Sequence, residues 1–393
     1  MLIAHLADCH LGCRQFQRHG PDGINEREAD VAAAFRAAVD AILARAPDAV
    51  VIAGDLFHSV RPTNRSIIEA FTQIARIRST LKDAPVVLIA GNHDTPRSSE
   101  AGSILKLMTS LGVDVVDEVT KRLEYPRLGL SVLAVPHASL LAARESRQWK
   151  PNPQAKYNVM VTHPEMSGYF PEYGESDFGG VRLEASELGE DWDYVALGHY
   201  HVVSEVAPRV WYSGSLEYTS PNLWGEWRLE RDRHLTKGVL LADLERHRVE
   251  RVPLTPRRVI HDLAWLDAEG CSPAELDRMI QDAVASCAGG YKDCVVRLVV
   301  TNCQRELAHQ LDHFAIRAIR AQALHFQLDL RRPEPVQRTV GVGAPGVPRT
   351  LPEMAADYLS RRPLDAELDR DRLVSLGKRY LDEVERAETE GAA

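Results

Sequence analysis

The stretch PVVLIAGNHD, residues 85–94, is a run of β-branched and aliphatic residues that stops at a glycine and empties into Asn92, His93 and Asp94. Such a run is too short for a helix and has the composition of a buried strand. The same arrangement recurs along the first half of the chain. LIAHLADCH (2–10) ends in Asp8 and His10, AVVIAGD (49–55) in Asp55, YNVMVTH (157–163) in His163, and YVALGHYH (194–201) in His199 and His201. Amphipathic segments lie between them. Val31, Ala34, Phe35, Ala38, Val39, Ile42 and Leu43 fall on one helical face between Glu26 and Arg45. Ile67, Ile68, Phe71 and Ile74 form a second apolar stripe, and Ile104, Leu107, Met108 and Leu111 a third. Strands alternating with helices predict an α/β layered fold. The carboxyl ends of strands in an open α/β sheet line one crevice, so residues up to 190 positions apart are expected at one edge.

The side chains gathered there define a chemistry. Asp8, His10, Asp55, Asn92, His163, His199 and His201 offer oxygen and imidazole nitrogen without thiolate. That mixture suits first-row divalent ions such as manganese, iron or zinc, and disfavours an all-oxygen calcium site or a structural cysteine site. Seven donors exceed what one catalytic ion with open positions takes. They suit two ions sharing a carboxylate, roughly 3.5–4 Å apart, which clamp the attacking and leaving oxygens of a phosphoester.

Taken together, Asp8-x-His10, Gly54-Asp55, Gly91-Asn92-His93-Asp94, His163 and Gly198-His199-x-His201 resemble the five-part signature of the calcineurin-like metallophosphoesterases. The finer forms DCHLG, GDLFHSVRPTN, GNHDTP and ALGHYH are similar to those of SbcD-type DNA nucleases, which act with SbcC-like ATPases. The motifs cover residues 8–201, about half the chain. The resemblance implies two divalent ions, manganese by family preference. Asp8, His10, Asp55 and His201 would hold one, and Asp55, Asn92, His163 and His199 the other, with Asp55 as the bridge. It further implies that His93, oriented by Asp94, protonates the leaving oxygen or stabilises developing charge. His58 would be a second histidine near the DNA phosphate. The implied activity is hydrolysis of DNA phosphodiesters, as an exonuclease at duplex ends and an endonuclease on single strands and hairpins, in repair and recombination. The family's subunits pair through helices at the places of residues 65–80 and 101–112, which makes Ile67, Phe71, Ile104 and Met108 candidates for a homodimer face; the same residues would equally cover the sheet.

The chain's 393 residues exceed one ordinary domain of about 150 residues. The dimetal core is expected over 1–255. A capping block over 256–331 has a βαβαβ pattern, in which Ser272-Pro273-Ala274-Glu275 reads as a capping box with proline at the first helical position; by resemblance this block contacts DNA. Residues 332–349 hold four prolines between Arg332 and Pro348 and read as a linker. The last part, 350–393, has two amphipathic stripes (Leu351, Met354, Ala355, Tyr358, then Leu373, Leu376, Tyr380, Val384) expected to dock on the ATPase partner. Six cysteines form no CxxC pair, which fits a reducing compartment. No basic, apolar leader and no run of about 18 apolar residues occurs, so a cytoplasmic protein with no membrane contact is expected. A net charge of -9 gives no global sign of nucleic-acid binding, which would need only a local basic patch.

Softer signals surround the motifs. Arg14, Arg18, Arg61, Arg65 and Arg97 are candidates for phosphate contacts, and the Tyr212–Ser215 loop for backbone amides at a phosphate. Cys9, between two ligands, is expected to pack away from them; His5 reads as a core or edge histidine and His137 is open. Two other functions use the same core or fold. A small-molecule phosphodiesterase or phosphatase shares the dimetal chemistry, although phosphatases usually carry GDxVDRG and GNHE where this chain has GDLFHS and GNHD. A non-catalytic DNA-end-tethering subunit would be favoured by a broken ligand set, and this set is intact.

Overall fold

Strand runs that are apolar at every position need cover on both faces, and that requirement organises the molecule. The computed structural model describes residues 1–96, 102–141, 149–169, 180–333, 355–356, 358–360 and 369–390. The chain divides into a unit of Met1–Arg332 and a second of Pro333–Ala393. The first unit begins with β1 (Leu2–Leu6), α1 (Glu26–Arg45), β2 (Ala49–Ile52), α2 (Asn64–Thr80), β3 (Val86–Ile89), a 3₁₀ helix (Ile104–Leu111) and β4 (Asp114–Val116). It continues with β5 (Lys121–Tyr125), β6 (Leu130–Val135), α3 (His137–Leu140), β7 (Tyr157–Thr162), β8 (Glu165–Met166), β9 (Arg182–Leu183) and β10 (Tyr194–Leu197). Then come β11 (Ser204–Ala207), β12 (Val210–Tyr212), α4 (Leu223–Asp232), β13 (Gly238–Asp243) and β14 (Arg248–Pro253).

These strands form two six-stranded sheets, β14-β13-β1-β2-β3-β4 and β11-β12-β10-β7-β6-β5. Strands β1 to β4 run parallel, with β13 antiparallel to β1 at one side. In the second sheet β6, β7, β10 and β12 are parallel, flanked by antiparallel β5 and β11. The sheets pack face to face. Ile3, Val51, Val87 and Ile89 meet Val132, Val159, Val161 and Ala196 in an inner core. The alternate positions Ala4, Leu6, Val50, Ile52 and Leu88 face outward onto Phe35, Val39 and Ile42 of α1 and Ile74 and Ile77 of α2. Helix α1 starts where Asn25 accepts from the amides of Arg27 and Glu28, an N-cap worth about 1 kcal/mol. The layered α/β core is thus as expected, with its strands divided between two sheets rather than collected in one. His5 lies in the inner core with Nδ1 2.8 Å from the Tyr194 hydroxyl.

The capping block has its own core. Strands β15 (Ile260–Asp262), β16 (Leu266–Asp267), β17 (Val295–Thr301) and β18 (His325–Leu330) pair in parallel through β17. Helices α5 (Pro273–Ala285), α6 (Arg305–His309) and α7 (His313–Gln322) accompany them, and Leu276, Ile280, Leu298 and Ile316 meet inside. The Ser272–Glu275 capping box is formed. The segment VIHDLAWL (259–266) supplies two short strands, β15 and the start of β16, which pair with different parts of β17. The block abuts the two-sheet body: Phe16 stacks on His325 at 3.9 Å, Arg18 donates to the carbonyls of Ala321 and Ala323, and Arg258 reaches Asp30 at 3.0 Å.

In the second unit, helical residues at 355–356 and 358–360 precede α8 (Arg370–Glu390). Leu351 and Met354 of the first expected stripe and nearly all of the expected linker lie outside the described residues. No described helix is long and apolar enough to cross a membrane.

Candidate metal centre

Each strand end places its ligand through a short loop, and the loops are tied to one another by main chain. The amide of Asp8 donates to the Gly54 carbonyl at 3.1 Å and that of His10 to the Asp55 carbonyl at 3.0 Å. Asp8, His10, Asp55 and His199 all hold positive φ, a conformation unfavourable for non-glycine residues that recurs at functional sites. Close approach also dictates glycines: a Cβ on Gly91 would lie 2.1 Å from Asp55 Oδ1, and one on Gly54 2.4 Å from His163 Nδ1.

The structure brings all seven expected ligands together. His10 Nε2 faces His201 Nε2 at 3.0 Å, with Asp8 beside them. Asn92 Oδ1 lies 3.1 Å from His163 Nε2 and 3.2 Å from His199 Nδ1. Oxygen Oδ2 of Asp55 is 3.2 Å from His163 Nε2 and 3.9 Å from His10 Nε2, between the two groups. Asp8, His10, Asp55, His163, His199 and His201 are buried, and Asn92 is half-buried. The first sheet supplies Asp8, His10, Asp55 and Asn92; the second supplies His163, His199 and His201.

The electrostatics reflect that crowding. Burial works against the Asp55 charge, but His163 and His10 outweigh it and hold the carboxyl well below its usual range. Burial and the Asp55 charge raise Asp8 and push Asp94 up to about 7. Burial opposes protonation of His163, yet Asp55 and Asp8 lift it to about 9; burial and His201 drive His10 well down. Two imidazole nitrogens facing each other beside buried carboxylate oxygens share too few protons to satisfy one another. Divalent cations satisfy such converging lone pairs, so the donor set fits metal.

The histidines are oriented from behind. His163 Nδ1 is 2.6 Å from the Ala53 carbonyl, leaving Nε2 toward the ligand cluster. His199 Nε2 lies 3.4 Å from Glu165, and His201 Nδ1 3.9 Å from Glu226. Glu226 in turn pairs with buried Lys237, whose Nζ donates to the His201 carbonyl at 3.0 Å and sits 3.0 Å from Glu230. Sequence reasoning missed Glu165, Glu226 and Lys237; only Glu165, two residues past His163, carried any positional signal.

His93 and His58 are half-buried beside His10, their rings stacked at 5.3 Å. His93 Nδ1 is 2.8 Å from the His58 carbonyl, and His58 Nδ1 is 3.3 Å from His10 Nδ1. Asp94 has a different geometry from the one expected. Its carboxylate accepts from the amides of Leu56, Phe57 and Gly91, fastening the loop after β3 to the loop after β2. A main-chain carbonyl, that of His58, contacts the His93 ring. Cys9 is buried among apolar residues, as expected. His137 is buried, and burial and the nearby His163 lower it to about 4. In the Tyr212–Ser215 loop, the amides of Ser213 and Ser215 are used by the Leu197 and His201 carbonyls and are not open to a phosphate. Arg14 pairs with Glu28 and Arg18 binds the capping block, whereas Arg61 and Arg65 are exposed; Arg97 lies outside the described residues. Met108 is buried against the first sheet, while Ile68, Phe71 and Leu107 are the exposed apolar positions of that surface.

Comparison with known proteins identifies the family. The chain is similar to the DNA double-strand break repair protein Mre11 of Sulfolobus acidocaldarius, 24% identical over 248 residues, covering 62% of this chain and 60% of that protein. The corresponding protein of Methanopyrus kandleri is 28% identical over 270 residues, 63% of this chain and 54% of its own. That of Archaeoglobus fulgidus is 30% identical over 217 residues, 51% and 46%. The chain thus spans 46–60% of the length of these relatives. The family model of the calcineurin-like phosphoesterases matches residues 1–203, which hold every ligand of the centre, and the chain belongs to that family.

Proposed function

We propose that the protein is a manganese-dependent DNA nuclease of the SbcD type, hydrolysing phosphodiesters in DNA repair together with an SbcC-like ATPase. The observation that carries this reading is the assembly of seven donors from both sheets around the Asp55 carboxylate, with two half-buried histidines at the rim. The names of the Mre11 relatives, which refer to DNA double-strand break repair, support DNA as the substrate. Asp8, His10, Asp55 and His201 hold one ion and Asp55, Asn92, His163 and His199 the second, an oxygen-and-imidazole set that suits manganese. When bound, the ions supply positive charge at the phosphate and lower the pKa of a water.

The remaining steps belong to the chain. Asp55 keeps both groups of ligands in register, and Asp94 holds the two loops that carry Asp55 and His93. With Nδ1 of His93 engaged by the His58 carbonyl, the proton for the leaving oxygen passes through Nε2. His58 buttresses His10 and His93 where the DNA phosphate enters. Exposed Arg61 and Arg65 offer phosphate contacts, as does the capping block over 256–331. Residues 332–349 act as linker and 350–393 as the segment that binds the ATPase; two copies of the chain pair across the surface of α2 and the 3₁₀ helix.

The test is manganese-dependent cleavage of end-labelled duplex and hairpin DNA by wild type and His93→Asn, with an SbcC-like partner and ATP present and bis-p-nitrophenyl phosphate as a small ester. His93→Asn should retain both metals and DNA binding while cleavage falls by about 100-fold or more. Cleavage by the variant at the wild-type rate would refute the role of His93. Turnover of the small ester with DNA untouched would move the reading to a small-molecule phosphodiesterase, and DNA binding without any cleavage to a tethering subunit.

A further inference from the structure

Helix α4 is engaged on two opposite faces, because residues two apart on a helix point about 200° away from each other. Trp224 and Arg228 lie on one face, Glu226 and Glu230 on the other. The first face belongs to the capping block. Leu223 packs with Val295 and Leu324, and Trp224, Trp227 and Ile260 lie against them. The indole Nε1 of Trp224 donates to Gln327 Oε1 at 2.6 Å, and Arg228 Nε donates to Asp262 Oδ2 at 2.5 Å. Arg297 lies over the Trp224 ring at 4.6 Å and holds the other Asp262 oxygen at 2.8 Å. Asp262, Arg297 and Gln327 are register partners on β15, β17 and β18. The helix therefore docks on a single row of residues across the capping sheet.

The second face meets the metal centre. Glu226 accepts from Ser215 Oγ at 3.1 Å and from the Ser220 amide at 3.3 Å. Both acids of this face pair with Lys237, and all three side chains are buried. Glu226 Oε2 lies 3.9 Å from His201 Nδ1, and Lys237 Nζ donates to the His201 carbonyl at 3.0 Å. Parting a buried ion pair leaves an uncompensated charge, so a displaced α4 carries Lys237 and the His201 segment with it. The capping sheet thus meets His201 across the width of one helix. The carboxylate behind His199 is placed differently: Glu165 belongs to β8, which pairs with β9, and faces Arg182. We propose that α4 is a strut through which the capping block sets the position of His201, which makes Trp224 and Arg228 positioning residues for the ion on the His10–His201 side alone. The inference rests on the two-ion assignment proposed above.

The experiment is calorimetric titration of the full chain with manganese, in the absence of DNA. His201→Ala identifies the binding event of the His10–His201 side by removing it, and Glu165→Gln marks the other event by weakening it. The proposal expects Glu226→Gln to weaken the His201 event about tenfold or more. Arg228→Met should weaken the same event about threefold or more, with the other event unchanged in both variants. Arg228→Lys, which keeps a cation for Asp262, should recover most of the affinity. Changes along one path are not additive, so Arg228→Met should add little to Glu226→Gln yet keep its full effect beside Glu165→Gln. Arg228 is partly exposed and Asp262 keeps Arg297, so the variant retains its fold, which circular dichroism checks. Unchanged manganese affinity in Arg228→Met would overturn the strut, as would equal weakening of both events or full additivity with Glu226→Gln. Wild type binding fewer than two ions would overturn the two-ion assignment and the strut with it. DNA cleavage enters none of these readouts, so a failure of the nuclease reading is distinguishable from a failure here.

Discussion

His199 reaches Glu165 through the ring nitrogen opposite the one beside Asn92, the geometry of a carboxylate that orients a candidate ligand from behind. Glu165→Gln should therefore lower metal affinity by about 10–100-fold with the fold intact, measured by manganese titration. His5 predicts a pH effect. Burial pushes it down to about 3 from 6.5, so the folded state binds its proton far less readily than the unfolded chain. Its contribution is fully present above pH 6.5 and is lost as pH falls toward 3. Between pH 6.5 and 4.5, wild type should lose about 2–3 kcal/mol more than His5→Gln, in urea unfolding with chelator present. The seven converging donors were legible in the sequence because each stands within a few residues of its strand. Glu165, Glu226 and Lys237 were not, since their partners are set by packing between distant segments, and the same holds for the His58 carbonyl that contacts His93.

Elements show the same division between local and distant signals. The α1 boundaries and the Ser272 capping box were readable from periodicity and cap chemistry, because both act within one turn. Ser272→Ala should cost about 1 kcal/mol, seen as a lower urea midpoint with unchanged m-value. The split of the strands into two sheets was not readable: a run buried on both faces looks alike whether helices or a second sheet cover it. Helix α4 escaped notice because Leu223–Asp232 is short and strongly charged, and its buried acids, Glu226 and Glu230, face Lys237 rather than an apolar core. The helix expected on the stripe over 104–111 is present and is of the 3₁₀ type.

For the whole molecule, the decisive fact is that the candidate metal ligands come from opposite sheets. Ions held there bind the folded chain and not the unfolded one, so manganese at 100 times its dissociation constant should add about 2.7 kcal/mol per site. Chelation should lower the melting temperature by several degrees, and excess manganese should restore it; an unchanged melting curve would contradict binding across the sheets. Ions bound in this way would act as a rivet at one end of the sandwich. Molecules lacking their metal should then be the ones whose sheets part first at that end, so limited proteolysis would remove unmetallated chains ahead of loaded ones. The population that survives would be enriched in working centres without any separate inspection step.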